Sequence, residues 1–264
     1  MQTGISTASL FMRKYTEEAL EYLSKNGVDS AEVFLASYCE YKKDFGEILK
    51  KAKGDITVHS VHTLTTQFEP TLYSVNERAR QDSFALLDDA MQVAESIGAK
   101  YYTFHGGAFF KKTHGNVNYD RVGKYTQRII DTCRKHGVTL AYENVHWCYC
   151  NKLGFYSQLK ERTEGLKATL DIKQARQSGI PYANFIDEMK DDIVTVHLSD
   201  VDENKKMCLP GKGVTDFEDL FKRLHGVGFD GSLIIECYFN DYQDYPELFE
   251  SLDFVKNLSA KIFK

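Results

Sequence analysis

Four residues in the second half of the chain, Glu143, Asp171, His197 and Glu236, carry side chains suited to holding a divalent cation. Each lies near the C-terminal end of a short apolar run: Thr-Leu-Ala-Tyr-Glu-Asn, Lys-Ala-Thr-Leu-Asp-Ile, Ile-Val-Thr-Val-His-Leu-Ser and Ser-Leu-Ile-Ile-Glu-Cys-Tyr. A loop and then a helical pattern follow every run. Taken singly, such a residue is as readily a hydrogen-bonded strand end as a ligand. Taken together, three carboxylates and an imidazole at the same end of successive strands are costly filler, because buried charge needs partners, and they suit one shared cation. Hard oxygen ligands with one imidazole fit Mn²⁺, Mg²⁺ or Zn²⁺, and residue types leave that choice open.

Other chemistry-bearing residues group around this set. His62 and His105 also come late in apolar runs and are expected to contact substrate hydroxyls, with pocket-wall hydrogen bonding as the alternative. His59 has the opposite parity to His62 and reads as a structural, helix-facing histidine. Cys148-Tyr149-Cys150 lacks a second pair at zinc-finger spacing, so free thiols are expected on that loop. Trp147, the only tryptophan, reads as an apolar wall of a ligand pocket or as core. Lys212, in Pro-Gly-Lys-Gly, is either a substrate or phosphate contact or a turn lysine. Glu32 comes early in its run and reads as structural.

These residues must be positioned by the elements between them. Strand-like runs occur at Gly4–Thr7, Ala31–Ser37, Ile56–Thr63 and Tyr101–His105 before the four described above. Helical periodicity occupies Thr16–Asn26, Tyr41–Lys53, Asn76–Ile97, Tyr119–His136, Phe155–Glu164, Lys173–Met189 with a break at Gly179-Ile180-Pro181, Asp216–Val227 and Pro246–Phe263. Eight strands alternating with eight helical units predict a single-domain α/β fold over residues 1–264, a closed (β/α)₈ TIM barrel. The competing doubly wound sheet would show a glycine-rich fingerprint after its first strand, and Gly-Ile-Ser-Thr-Ala is not one. Barrels gather their chemistry at the C-terminal strand ends, where these polar residues lie. With Glu143, Asp171, His197 and Glu236 facing inward, alternation places Ala141, Thr169, Thr195 and Ile234 in the layer beneath. Leu170, Leu198 and Ile235 then face the helices.

Composition bounds the partners. Hydrophobic content of 42% with 27% charged residues is ordinary for a globular protein. A formal charge of −5, from 33 basic and 38 acidic residues, does not favour a nucleic-acid surface. The absence of a long apolar segment and of a charged-then-hydrophobic N-terminus argues against a membrane span or secretory signal. Six scattered cysteines fit reduced thiols and a cytoplasmic location.

The ordered motifs Val-His-Ser-Val-His-Thr, Phe-His-Gly-Gly, Tyr-Glu-Asn, Leu-Asp-Ile-Lys-Gln, Val-His-Leu-Ser-Asp, Leu-Pro-Gly-Lys-Gly and Ile-Ile-Glu-Cys-Tyr resemble the xylose-isomerase-like TIM barrels. That group includes sugar isomerases and epimerases, inosose-processing enzymes and zinc apurinic-site endonucleases. The resemblance covers essentially the whole chain. In the isomerase and epimerase branch one metal is held by Glu, Asp, His and Glu of strands five to eight, which implies Glu143, Asp171, His197 and Glu236. The trinuclear endonucleases add the strand-three and strand-four histidines, matched by His62 and His105. They also need a histidine where this chain has Gln174, and an Asp-x-His pair where Val201–Val214 has no histidine. One metal is therefore expected rather than three. Gln174 also replaces the substrate-binding histidine of many ketose epimerases, and Glu203 stands where those enzymes carry an arginine.

The resemblance implies a metal-dependent sugar, sugar-phosphate or polyol isomerase or epimerase working through a metal-stabilised enediolate. Glu143 and Glu236 would be the acid–base pair. His62, His105, Gln174, Trp147 and Lys212 would contact a small carbohydrate. An inosose-type dehydratase shares this logic, an apurinic-site phosphodiesterase does not fit the ligand set, and a non-catalytic carbohydrate-binding barrel would have no need to keep all four ligands. Family barrels often assemble, so a homo-oligomer is compatible with this reading.

Overall fold

In chain order the strands are β1 (Gln2–Ser6), β2 (Ser30–Leu35), β3 (Thr57–Thr63), β4 (Tyr101–Phe104), β5 (Thr139–Glu143), β6 (Lys167–Asp171) and β7 (Ile193–Leu198), then a short hairpin, β8 (Asp200–Val201) and β9 (Met207–Cys208), and β10 (Ser232–Ile235). This computed structural model describes residues 1–64, 66–109 and 117–263. All strands but the hairpin pair are parallel neighbours in a closed barrel of order β1-β10-β7-β6-β5-β4-β3-β2. Around it lie α1 (Thr16–Lys25), α2 (Lys43–Ala52), α3 (Glu77–Ser96), α4 (Tyr119–Lys135), α5 (Phe155–Lys160), α6 (Ile172–Gln177), α7 (Tyr182–Met189), α8 (Phe217–Gly226) and α9 (Tyr245–Ile262). The expected (β/α)₈ barrel is therefore present. Among the described residues no helix is long and apolar enough to cross a membrane.

Local chemistry explains these boundaries. Asn76, Asn118 and Asp216 cap α3, α4 and α8 by accepting backbone N–H groups of the first turn. Asp171 does the same for α6, so a candidate ligand also starts a helix. The expected break at Gly179-Ile180-Pro181 separates α6 from α7.

Leu170, Leu198 and Ile235 join the apolar core between barrel and helices. Ala141 and Ile234 are fully buried yet lie outside that cluster, as lumen-facing positions should. Gly4 lets β1 approach closely, since a Cβ there would lie 2.2 Å from the Ser30 carbonyl oxygen.

Two details differ from expectation. First, Ile234 is level with His197, and Thr195 pairs with Ser232. The stagger of a closed barrel thus lifts Ile234 one level above the layer assigned to it. Second, β3 bulges: Ala31 pairs with Val58 but Glu32 with Ser60, leaving His59 as the extra residue. The bulge breaks simple alternation, and His59 reaches Thr195 Oγ1 at 2.9 Å on the opposite wall instead of facing a helix. Burial holds its imidazole down at about 4, so it is a neutral structural residue. The Val201–Val214 loop is organised by buried Asp200, whose carboxylate accepts from the backbone of Val201, Gly211, Gly213 and Thr215.

Candidate active site

The C-terminal mouth of the barrel holds a cavity of about 210 Å³, lined by His62, His105, Glu143, Trp147, Lys173, Gln174, Glu236 and Tyr238 among others. At its floor Glu143, Asp171, His197 and Glu236 converge, each offering a ligand atom within 4.8 Å of the others. β5, β6 and β7 supply Glu143, Asp171 and His197. Glu236 follows β10 and extends its ladder by donating its N–H to Leu198 O at 3.0 Å. The Asn144 side chain spans β5 and β6, accepting from Asp171 N at 2.7 Å and donating to Asp171 O at 2.9 Å. That clamp fixes the separation of two ligand positions.

The electrostatics fit a cation. His197 Nδ1 lies 2.7 Å from Glu236 Oε2, 3.6 Å from Glu143 Oε1 and 4.0 Å from Asp171 Oδ2. Yet it is aligned for a hydrogen bond with none of them, and both ring nitrogens are buried without a hydrogen-bond partner. Orphaned buried polar atoms are uncommon in folded proteins, and His197 Nδ1 is one that faces the three carboxylates. Burial pushes the Asp171 carboxyl up to about 7, with neighbouring Glu143 and Glu236 adding to the rise and Lys173 opposing it. Burial also opposes charge on Glu236, but the adjacent His197 outweighs it and holds the carboxyl well below its usual range. A divalent cation satisfies these needs together, so the residues present fit the expected ligand set.

The two glutamates are arranged alike. Glu143 turns Oε1 toward His197 and places Oε2 3.3 Å from His105 Nε2. Glu236 turns Oε2 toward His197 and places Oε1 3.7 Å from His62 Nε2. Each therefore has one oxygen at the cation locus and one beside a cavity histidine. His105 is fixed from behind by Glu69, which takes its Nδ1–H at 3.1 Å and its backbone N–H at 2.9 Å. Burial disfavours the charged ring, but Glu69 and then Glu143 raise it to about 9. Gly106 follows at φ +85°, where a Cβ would lie 1.8 Å from the Tyr142 hydroxyl, so this turn requires glycine.

Of the anticipated substrate contacts, His62, His105, Gln174 and Trp147 line the cavity. Gln174 Oε1 accepts from His146 N at 3.1 Å and lies 2.6 Å from its Nδ1, which leaves the amide NH₂ as the free donor. Trp147 packs on Ala108, Val145 and Cys148 while facing the cavity, so it is both wall and small core. Lys212 does not line the cavity: it is half-exposed and bridges to Glu250 at 2.9 Å, the turn-lysine alternative. Cys148 and Cys150 are free thiols on the loop after β5, as expected, and both are buried.

Two residues escaped the sequence reading, and a third, Glu32, was read only as structural. Lys173 is buried in the cavity wall, its Nζ 3.9 Å from Asp171 Oδ2 and 4.3 Å from the Tyr238 ring centroid. It read as the start of a helix, although two residues past a ligand is a position from which a side chain reaches the site. Glu69 sat in what read as a loop. Glu32 looked structural because its place early in β2 hid its reach into the lumen, where it lies 3.0 Å from His197 Nε2.

The profile of the family described as xylose isomerase-like TIM barrel matches residues 20–258. The L-ribulose-5-phosphate 3-epimerases of Shigella flexneri serotype 5b (strain 8401) and Escherichia coli O157:H7 (strain EC4115 / EHEC) are 25% identical over 204 residues, covering 72% of this chain and 68% of theirs. A D-tagatose 3-epimerase-like protein superposes with a TM-score of 0.82 at 18% identity, covering 99% of this chain and 98% of that one. D-Psicose 3-epimerase from Clostridium cellulolyticum H10, solved with D-tagatose, gives 0.78 at 15% identity with 100% of both chains covered. These structural likenesses speak for the fold. The matched span takes in all four residues of the candidate cation site, and the chain belongs to the xylose isomerase-like TIM barrel family.

Proposed function

We propose that this protein is a divalent-metal-dependent epimerase or isomerase of small sugars or sugar phosphates. The observation that carries the reading is the convergence of Glu143, Asp171, His197 and Glu236, with the orphaned His197 Nδ1 facing the three carboxylates. When bound there, a divalent cation supplies Lewis acidity toward a carbonyl and an adjacent hydroxyl. The remaining steps belong to side chains. One glutamate removes the proton from the carbon beside the carbonyl, and the electron pair moves toward the carbonyl oxygen. In epimerisation the other, in its protonated form, returns a proton to the same carbon from the opposite face and the carbonyl re-forms. In isomerisation a proton goes instead to the former carbonyl carbon, while the adjacent hydroxyl proton passes to the former carbonyl oxygen. Asp171 and His197 fix the ligand geometry. The Lys173 ammonium, with no hydrogen-bond acceptor among the described residues, is placed to stabilise the developing oxyanion. Phe34, Trp147 and Tyr238 wall the cavity, which at about 210 Å³ suits a monosaccharide rather than a polymer.

The test is a panel of D-psicose, D-tagatose, L-ribulose 5-phosphate and an inosose in D₂O, with Mn²⁺ and with chelator. Solvent deuterium should enter the carbon beside the carbonyl only with metal. Glu236→Gln should lower exchange about 10²–10⁴-fold, the usual worth of general acid–base help. Full turnover by that variant at unchanged metal occupancy would remove Glu236 from the proton-transfer role, and no exchange with any substrate would refute the reading.

A further inference from the structure

Glu32 has no part in the ligand set, yet it is the lumen carboxylate most fully enclosed, with no exposed surface. Its two oxygens have different surroundings. Oε2 accepts from Ser60 Oγ at 2.7 Å, on the neighbouring strand β3, and from Thr103 Oγ1 at 2.8 Å, on β4 one strand further. Oε1 has no hydrogen-bond partner and lies 3.0 Å from His197 Nε2, which has none either. His197 Nδ1, on the other side of the ring, faces Glu236, Glu143 and Asp171. We infer that Glu32 is a positioning residue that sets the tautomer and tilt of His197, accepting its Nε2–H so that Nδ1 presents a lone pair to the cation.

The chemistry follows from the ring. A neutral imidazole that ligates through Nδ1 must carry its proton on Nε2, and a buried proton needs an acceptor. Glu32 Oε1, 3.0 Å from Nε2, is at the required distance. The two hydroxyls fix the other oxygen, so the carboxylate cannot swing away. The His62 ring also approaches Oε1, but at 3.9 Å, and neither of its nitrogens has a hydrogen-bond partner. Glu32, His62 and Glu236 are themselves close enough to suggest a second cation. That use would take Oε1 from His197 Nε2 and leave a buried proton without acceptor, so positioning is the better reading.

The inference rests on the cation site proposed above, and the experiment separates the two. Co²⁺ affinity is measured by chelator competition for wild type, Glu32→Gln, Ser60→Ala and Asp171→Asn, with the visible Co²⁺ spectrum and the thermal midpoint of the metal-free protein. Glu32→Gln keeps the shape and a carbonyl acceptor but loses the charge. It should bind Co²⁺ about 10–100-fold more weakly, the usual cost of losing an outer-shell partner. Its Co²⁺ bands should shift, and its metal-free midpoint should not fall. Ser60→Ala should weaken binding less. Unchanged affinity and spectrum, or a metal-free midpoint lowered as much as the metal-bound one, would overturn the positioning role while leaving the cation site intact. A second Co²⁺ per chain, lost in Glu32→Gln, would make Glu32 a ligand and also overturn it. Wild type binding no Co²⁺, like Asp171→Asn, would overturn the cation site and this inference with it.

Discussion

Replacing Glu69 by glutamine tests the support behind the cavity. Glu69 is fully buried, and one oxygen, Oε2, faces three N–H donors: His105 N at 2.9 Å, His105 Nδ1 at 3.1 Å and Gly106 N at 3.3 Å. The other oxygen, Oε1, accepts from Tyr102 at 2.6 Å and from Thr63 at 3.1 Å. The two hydroxyls can rotate to accept from an amide, so Glu69→Gln can keep its single oxygen on the N–H trio and turn its NH₂ to Tyr102 and Thr63. What is lost is charge. Hydrogen bonds to a charged group contribute about 1.5–3 kcal/mol against about 0.5–1.5 for neutral ones, so three donors lose roughly 3 kcal/mol together. Urea unfolding of the metal-free protein at pH 6, followed by circular dichroism, should register that loss with an unchanged m value.

The pH dependence gives an independent check. The His105 imidazole is raised to about 9, through Glu69 first among its charged neighbours and against the pull of burial. A histidine raised on folding contributes stability that is complete below its unfolded value of about 6.5 and is lost as pH climbs through the folded value. Wild-type stability should therefore decline between about pH 6.5 and 9. In Glu69→Gln that decline should shrink and the His105 titration, read by NMR, should move down. A variant within about 0.5 kcal/mol of wild type at pH 6, or an unmoved His105 titration, would refute the idea that Glu69 orients and charges this ring.

Two further outcomes follow from other side chains. Lys173→Met keeps the stem length but removes the ammonium beside Asp171, and kcat should fall about 10²-fold with Co²⁺ affinity not weakened; a fall under about 3-fold would remove Lys173 from oxyanion stabilisation. At the far end of α4, His136 lies 3.1 Å from Asp88 and 2.9 Å from Glu95. Burial pulls its imidazole down, but Glu95 and Asp88 outweigh that and raise it. The stabilisation is then present below about pH 6.5 and lost as pH rises through the higher folded value. His136→Gln should cost about 0.5–1 kcal/mol in chemical denaturation at pH 6 and nothing at pH 9, and equal losses at both would assign the effect to packing.

Much of the barrel was legible because each feature is local. Strand alternation has a period of two and helices a period near 3.6, and caps such as Asn76 and Asp216 act within one turn. The boundary shifts are small for the same reason. Legibility failed where one residue broke the period. The bulge at His59 reversed its direction, and the stagger between β7 and β10 moved Ile234 up a level.

By itself the sequence determined the four candidate ligands. Each terminates its own strand pattern, and a closed parallel barrel brings such ends together. Only the tertiary structure decided what stands behind them. Glu32 meets His197 across the lumen, and Glu69 meets His105 from a separate 3-10 turn, Glu69–Tyr73. Lys173 folds back under Tyr238, and Lys212 turns outward to Glu250. Such pairings depend on strand register, barrel stagger and loop path, which are set by packing among distant segments and leave no periodic trace in the chain.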